Sequence, residues 1–65
     1  MLTEREKEVL IAYGQSDFDI HGTAELLTLS HFTVRCHLTT IRSKFNKNSS
    51  AGAHLEAIKL GLIPL

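Results

Sequence analysis

The sequence predicts an all-α domain: a four-helix, bundle-like fold with a helix-turn-helix at its centre. Three observations carry this. Four segments each combine a capping residue, an apolar stripe at helical spacing and a stop signal. No segment shows the strict apolar–polar alternation of a half-buried strand. The length of 65 residues allows a single domain, here spanning 1–65. The 43% hydrophobic content is too high for a disordered chain. A chain this short typically buries about 60% of its unfolded surface, so its fold should be marginal.

The first helix is expected from about Glu4 to Tyr13. Thr3 and Glu6 have the spacing of a capping box, and Glu4 and Glu6 suit the positive end of the helix dipole. Val9, Ala12 and Tyr13 share one side, and Gly14 is a natural stop. Ser16, Asp17 and Asp19 are all possible caps for a short second helix, Ile20 to Leu27. Ala24, Leu26 and Leu27 give that helix its apolar side. Gly22 weakens it, by about 1 kcal/mol relative to Ala in a helix interior.

The third helix is the clearest. Ser30 caps it, and it runs to about Phe45. Val34, Leu38, Ile41 and Phe45 fall on one stripe. At about 100° per residue, the opposite side carries Phe32, Arg35, Cys36, Thr39 and Ser43. Thr33, His37, Thr40 and Lys44 lie on one shoulder and Arg42 on the other. Ser49 or Ser50 should cap a fourth helix, Ala51 to Leu60, which Gly61 ends and Pro64 forbids from continuing. Ala53, Ala57 and Leu60 form one apolar stripe, which can close the core. Leu55, Ile58 and Leu62 form a second, nearly opposite, which is read as facing a partner. The alternative is packing on the end of the first helix.

Charge is informative by position, not by total. Seven cations balance seven acids, so the formal net charge is zero, which taken alone argues against a nucleic-acid partner. Residues 1–29 nevertheless carry −4, and residues 30–47 carry +4 through Arg35, Arg42, Lys44 and Lys47 with no acid. The basic block coincides with the third helix and the residues just after it.

Other classes are disfavoured. Apolar runs are too short to span a bilayer, and the start is charged where a signal peptide would be apolar. A single cysteine suits a reducing compartment, so a cytoplasmic location is expected. Cys36 and His37 are adjacent on a helix and point about 100° apart, which does not make a nucleophile–base pair. The histidines form no i,i+4 pair and there is no Cys-x-x-Cys. No enzymatic activity, metal site, cofactor or small-molecule ligand is therefore expected.

The stretch from Thr23 to His37 has helix-turn-helix logic. Small Ala24 permits close approach, Leu27 and Leu29 fill the space between the helices, and Val34 lies where they cross. The whole chain resembles the LuxR/GerE-type DNA-binding domain of bacterial transcription regulators. The resemblance rests on Leu2-Thr3-Glu4-Arg5-Glu6-Lys7-Glu8-Val9-Leu10, on Leu27-Thr28-Leu29-Ser30 with Thr33-Val34 and His37, and on Ile41, Lys44 and Phe45. It continues in Ala53, Ala57 and Gly61-Leu62-Ile63. Departures fall between Val9 and Ala24, where the pattern fits only with gaps. They also fall at Thr28, where a turn glycine is frequent, at Ser50, often basic, and at His54, often aliphatic.

The resemblance implies sequence-specific binding of double-stranded DNA for transcription regulation, with the third helix (about 30–45) in the major groove. It implies base contacts from residues matching Arg35, Cys36 and Thr39; helical geometry selects the same face and adds Phe32. Ser30, Thr33, His37, Thr40, Arg42, Lys44 and Lys47 are candidates for phosphates. A homodimer on DNA through the fourth helix is implied, with Leu55, Ile58 and Leu62 as candidate contacts. RNA polymerase is a further expected partner, and the bacterial nucleoid the expected location. Both ends are abrupt, so the chain is expected to be the C-terminal module of a longer regulator. The alternative function is a protein-interaction module that pairs with a full-length regulator and modulates it, its acidic first helix suiting a basic surface.

Overall fold

A computed structural model describes residues 2–65. Four helices follow in order: α1 Glu4–Gln15, α2 Ile20–Leu27, α3 His31–Phe45 and α4 Ser50–Lys59. No strand occurs among the described residues.

Every helix starts on a short polar side chain that satisfies an otherwise orphaned backbone donor. Thr3 and Glu6 complete a reciprocal capping box: the Glu6 amide donates to Thr3 Oγ1 (3.1 Å) and the Thr3 amide to Glu6 Oε1 (2.9 Å). Asp19 caps α2 by accepting from the Gly22 amide (2.9 Å). Ser30 caps α3 through the Thr33 amide (3.1 Å), and Ser49 caps α4 through the Gly52 amide (3.0 Å). Of the expected candidates, Asp19 and Ser49 are the ones used.

The helix ends share a device that the sequence announces at Gly61 and at the turn-glycine position held by Thr28, but not at Asp17 or Asn46. After each helix the backbone turns left-handed, at Asp17, Thr28, Asn46 or Gly61, and after α1 a second residue, Phe18, is left-handed as well. The next amide then reaches back to the carbonyl five residues before it. These bonds are Phe18 to Tyr13, Leu29 to Ala24, Lys47 to Arg42 and Leu62 to Ala57, all 2.8–2.9 Å. Gly14 is therefore not the stop of α1. The helix runs through it to Gln15, and the reversal falls on Asp17.

The core joins Val9, Leu10 and Tyr13 of α1, Ala24 of α2, Val34, Leu38 and Ile41 of α3, and Ala53 and Ala57 of α4. Ile63 closes it from the C-terminal segment. α3 and α1 each touch all the other helices, whereas α2 and α4 do not meet. The α3 stripe is buried as expected, with Phe45 half-buried at its end.

Two apolar assignments are corrected. Leu26 is 56% exposed and Leu60 58% exposed, so neither belongs to the core. In α2 the buried positions are Thr23 and Ala24, and the helix packs on both α1 and α3. On α4 and just after it, Ile58 and Leu62 pack partly against the core, so this stripe, read as facing a partner with internal packing as the alternative, is in part internal.

The loop between α1 and α2 is held by polar contacts. Ser16 Oγ lies within hydrogen-bonding distance of the Tyr13 and Asp19 carbonyls (3.1 and 3.0 Å) and of Thr23 Oγ1 (2.9 Å), and Thr23 Oγ1 donates to the Asp19 carbonyl (2.8 Å). Gly22 is needed for this approach, since a Cβ there would stand 2.8 Å from Ser16 Cβ. Phe18 sits edge-on to both Tyr13 (5.4 Å between centroids) and His54 (5.2 Å), tying the loop to α4.

Candidate nucleic-acid interface

Burying Val34, Leu38 and Ile41 forces the other side of α3 outward. Phe32, Arg35, Cys36 and Thr39 are all exposed there, and with Thr40 they line one shallow depression. The four expected base-contacting residues thus lie together, joined by a residue assigned to phosphate contact. Phe32 is 73% exposed, a solvent position that offers no packing reason for an aromatic ring.

The polar chemistry of this face is organised by Arg42. Its Nη1 donates to Ser50 Oγ (3.0 Å), and Nη2 donates to Thr39 Oγ1 (3.2 Å). Thr39 in turn donates its hydroxyl proton to the Arg35 carbonyl (2.9 Å). One proton and one lone pair of Thr39 are therefore spent. What it can still offer a ligand is one acceptor site and its methyl group. Arg42 is half-buried and orients this network.

The four cations of the basic block differ in freedom. Lys44 Nζ pairs with Glu6 Oε1 at 2.7 Å, across the α1–α3 packing. Lys47 pairs with Glu56 at 3.7 Å, and Arg42 is held as described. Arg35 is the only one of the four whose side chain has no hydrogen-bond or ion-pair partner among the described residues. Its five N–H donors point into solvent from the middle of the exposed face.

The remaining candidates frame this centre. Ser30 Oγ donates to Thr33 Oγ1 (2.9 Å), which leaves the Thr33 hydroxyl proton available. His37 is half-buried, and Thr40 is exposed. Leu55 is 53% exposed on α4, whereas Ile58 and Leu62 are half-buried beside it.

Two titratable groups are displaced by their surroundings. Burial of Glu6 by itself pushes its carboxyl up. The Lys44 ammonium and the Thr3 backbone and hydroxyl outweigh this and hold it below the usual value. Burial of His54 holds its imidazole below the usual 6.5. The Glu6–Lys44 pair is 38 residues apart in sequence, so no local pattern announces it. The Thr39–Arg42–Ser50 network is similarly invisible, since it needs α4 to deliver Ser50.

No helix is long and apolar enough to cross a membrane, and among the described residues no group of three or more His, Cys, Asp or Glu could hold a metal ion. The cross-packed α2 and α3, with a polar face on the second, define a helix-turn-helix domain. The family model GerE, described as bacterial regulatory proteins of the luxR family, matches residues 1–57, and the chain belongs to that family. Membership supports DNA-binding regulation of transcription as its general function. Searches of curated proteins and of solved structures each found no match.

Proposed function

We propose that this domain binds a specific double-stranded DNA sequence by placing α3 in the major groove, and that two copies pair through α4 on two half-sites. The observation that carries the reading is Arg35: an unpartnered guanidinium at the centre of the exposed face of α3, flanked by Cys36, Thr39 and Phe32. A helix is about 10–12 Å across with its side chains, and the major groove is about 12 Å wide. Arg35 donates two parallel hydrogen bonds to guanine O6 and N7. Thr39 accepts from a base or touches a thymine methyl, and Cys36 and Phe32 make apolar contacts. Ser30, Thr33, His37, Thr40 and Lys47 meet phosphates around this centre, and the α3 N-terminus favours the same anions. Lys44, Arg42 and Lys47 reach phosphates only by sharing or releasing their intramolecular partners. Leu55 anchors the α4 contact, with Ile58 and Leu62 at its edge.

The test is selection of bound duplexes from a random pool, followed by sedimentation of the complex formed with the winning sequence. A consensus containing a guanine in each of two half-sites, and two chains per duplex, are expected. A pool that shows no enrichment overturns the sequence-specific reading.

A second reading is a module that pairs with a full-length regulator. It is favoured by exposed Leu26, which lines a groove with Ile11, Ala12 and Leu27 beside the Arg5–Glu8 ion pair. Failure to bind any duplex at low salt would favour it.

A further inference from the structure

The turn of the helix-turn-helix brings together two side chains that are ten positions apart in sequence. His21 is the second residue of α2 and His31 the first of α3. Their ring centroids are 4.0 Å apart with planes at 74°. Both residues are exposed, and neither ring has a hydrogen bond or ion pair among the described residues. Four ring nitrogens from two different helices are therefore gathered at one point of the surface with no protein partner.

We propose that His21 and His31 form a two-imidazole chelate for a divalent transition-metal ion of the zinc, nickel or copper class. Imidazole nitrogen is a preferred ligand of these ions. Zinc–nitrogen bonds of about 2.0–2.1 Å in tetrahedral geometry place two bound rings with centroids about 5 Å apart. The observed edge-on pair needs to open by about 1 Å to admit the ion, a movement that exposed side chains make by rotation about χ1 and χ2. No third His, Cys, Asp or Glu completes the site among the described residues. The ion would keep water in its remaining positions, and the affinity is that of a two-ligand chelate, weaker than a structural zinc site. The ion would link the first turns of α2 and α3, one helical turn before Arg35. The inference does not rest on DNA binding and is tested without DNA.

The full 65-residue chain is titrated with zinc chloride near neutral pH and followed by calorimetry and by NMR of the imidazole resonances. One ion per chain is expected, with the His21 and His31 resonances moving together and those of His37 and His54 unmoved. His21→Ala and His31→Ala should each weaken binding at least about tenfold, the lower bound for losing even a supporting group. The wild-type resonance pattern needs no variant, so the test survives a variant that folds poorly. Absence of binding at millimolar zinc, equal binding by either variant, or resonance changes centred on His37 or Cys36 overturns the proposal.

Discussion

Arg35 and Lys44 differ in what binds them before any DNA arrives. Arg35 has no partner among the described residues, so the full bidentate capacity of its guanidinium is available. Arg35→Ala should cost about 1–3 kcal/mol on the selected site and relax discrimination at one base pair. Competition binding against single-base variants checks this, and uniform weakening across sequences would make Arg35 a phosphate contact. Lys44 already serves the buried carboxylate of Glu6 at 2.7 Å. Lys44→Ala should therefore lower stability by about 1 kcal/mol, between an exposed ion pair and a charged hydrogen bond. Urea denaturation measures this loss. The same variant separates the two roles, because a lost phosphate contact reduces the salt slope by about one unit and a purely structural one leaves it unchanged.

At the scale of the element, the shared helix ending makes different demands on four side chains. Asp and Asn tolerate the left-handed region because of their short polar side chains, and Gly is indifferent to it. Thr28 is β-branched and holds φ 56°, a strained choice, as is that of bulky Phe18 at φ 62° beside Asp17. Thr28→Gly should stabilise the domain by roughly 1 kcal/mol, the low end of the cost of a left-handed non-glycine residue after the added freedom of the unfolded chain. The shift expected in Tm is about 4–8 °C for a domain of this size, read by thermal melting. A lower Tm would show that the threonine side chain contributes more than its backbone strain costs. On α3, Leu38→Ala empties the centre of the core and should cost about 2–5 kcal/mol. DNA binding should then fall with the folded fraction in a chemical melt. Lost binding at unchanged stability would mean that Leu38 faces the ligand.

For the whole molecule, charge is spent largely on the fold. Glu6, Glu8 and Glu4 take Lys44, Arg5 and Lys7, and Lys47 takes Glu56. Zero net charge with most cations paired means weak attraction to arbitrary DNA, so under the proposed function dimerisation and direct readout would supply much of the affinity. The same pairing sets the response to acid. Glu6 titrates lower in the folded chain than in the unfolded one. Its contribution is present above the unfolded carboxyl value and is lost as pH falls through the folded one. His54 is also lowered in the folded state, from 6.5. The unfolded chain therefore takes up its proton first, and stability declines as pH falls below about 6.5. Thermal melts from pH 7.5 downward should show two successive losses, the first removed by His54→Leu. A flat profile between neutrality and pH 5 would place His54 in a more solvated site.

Much of this was legible in the chain because it depends on neighbours in sequence. The caps at Thr3, Asp19, Ser30 and Ser49 act over three residues, and the buried stripe of α3 repeats with the helix. Once that stripe is buried, helical geometry alone turns Phe32, Arg35, Cys36 and Thr39 outward. The four-helix order and the exposed face of α3 were thus determined by the sequence itself. Reading failed where a residue's state depends on a distant element. Leu26 and Leu60 are as hydrophobic as their buried neighbours, yet no helix covers them. Gly14 resembles a stop, but α1 can continue because the reversal is made at Asp17. Only the tertiary structure decided that Lys44 neutralises Glu6, that Arg42 and Ser50 position Thr39, and that His21 meets His31. These are pairings across packed helices, whose partners are chosen by how the helices cross and not by their spacing along the chain.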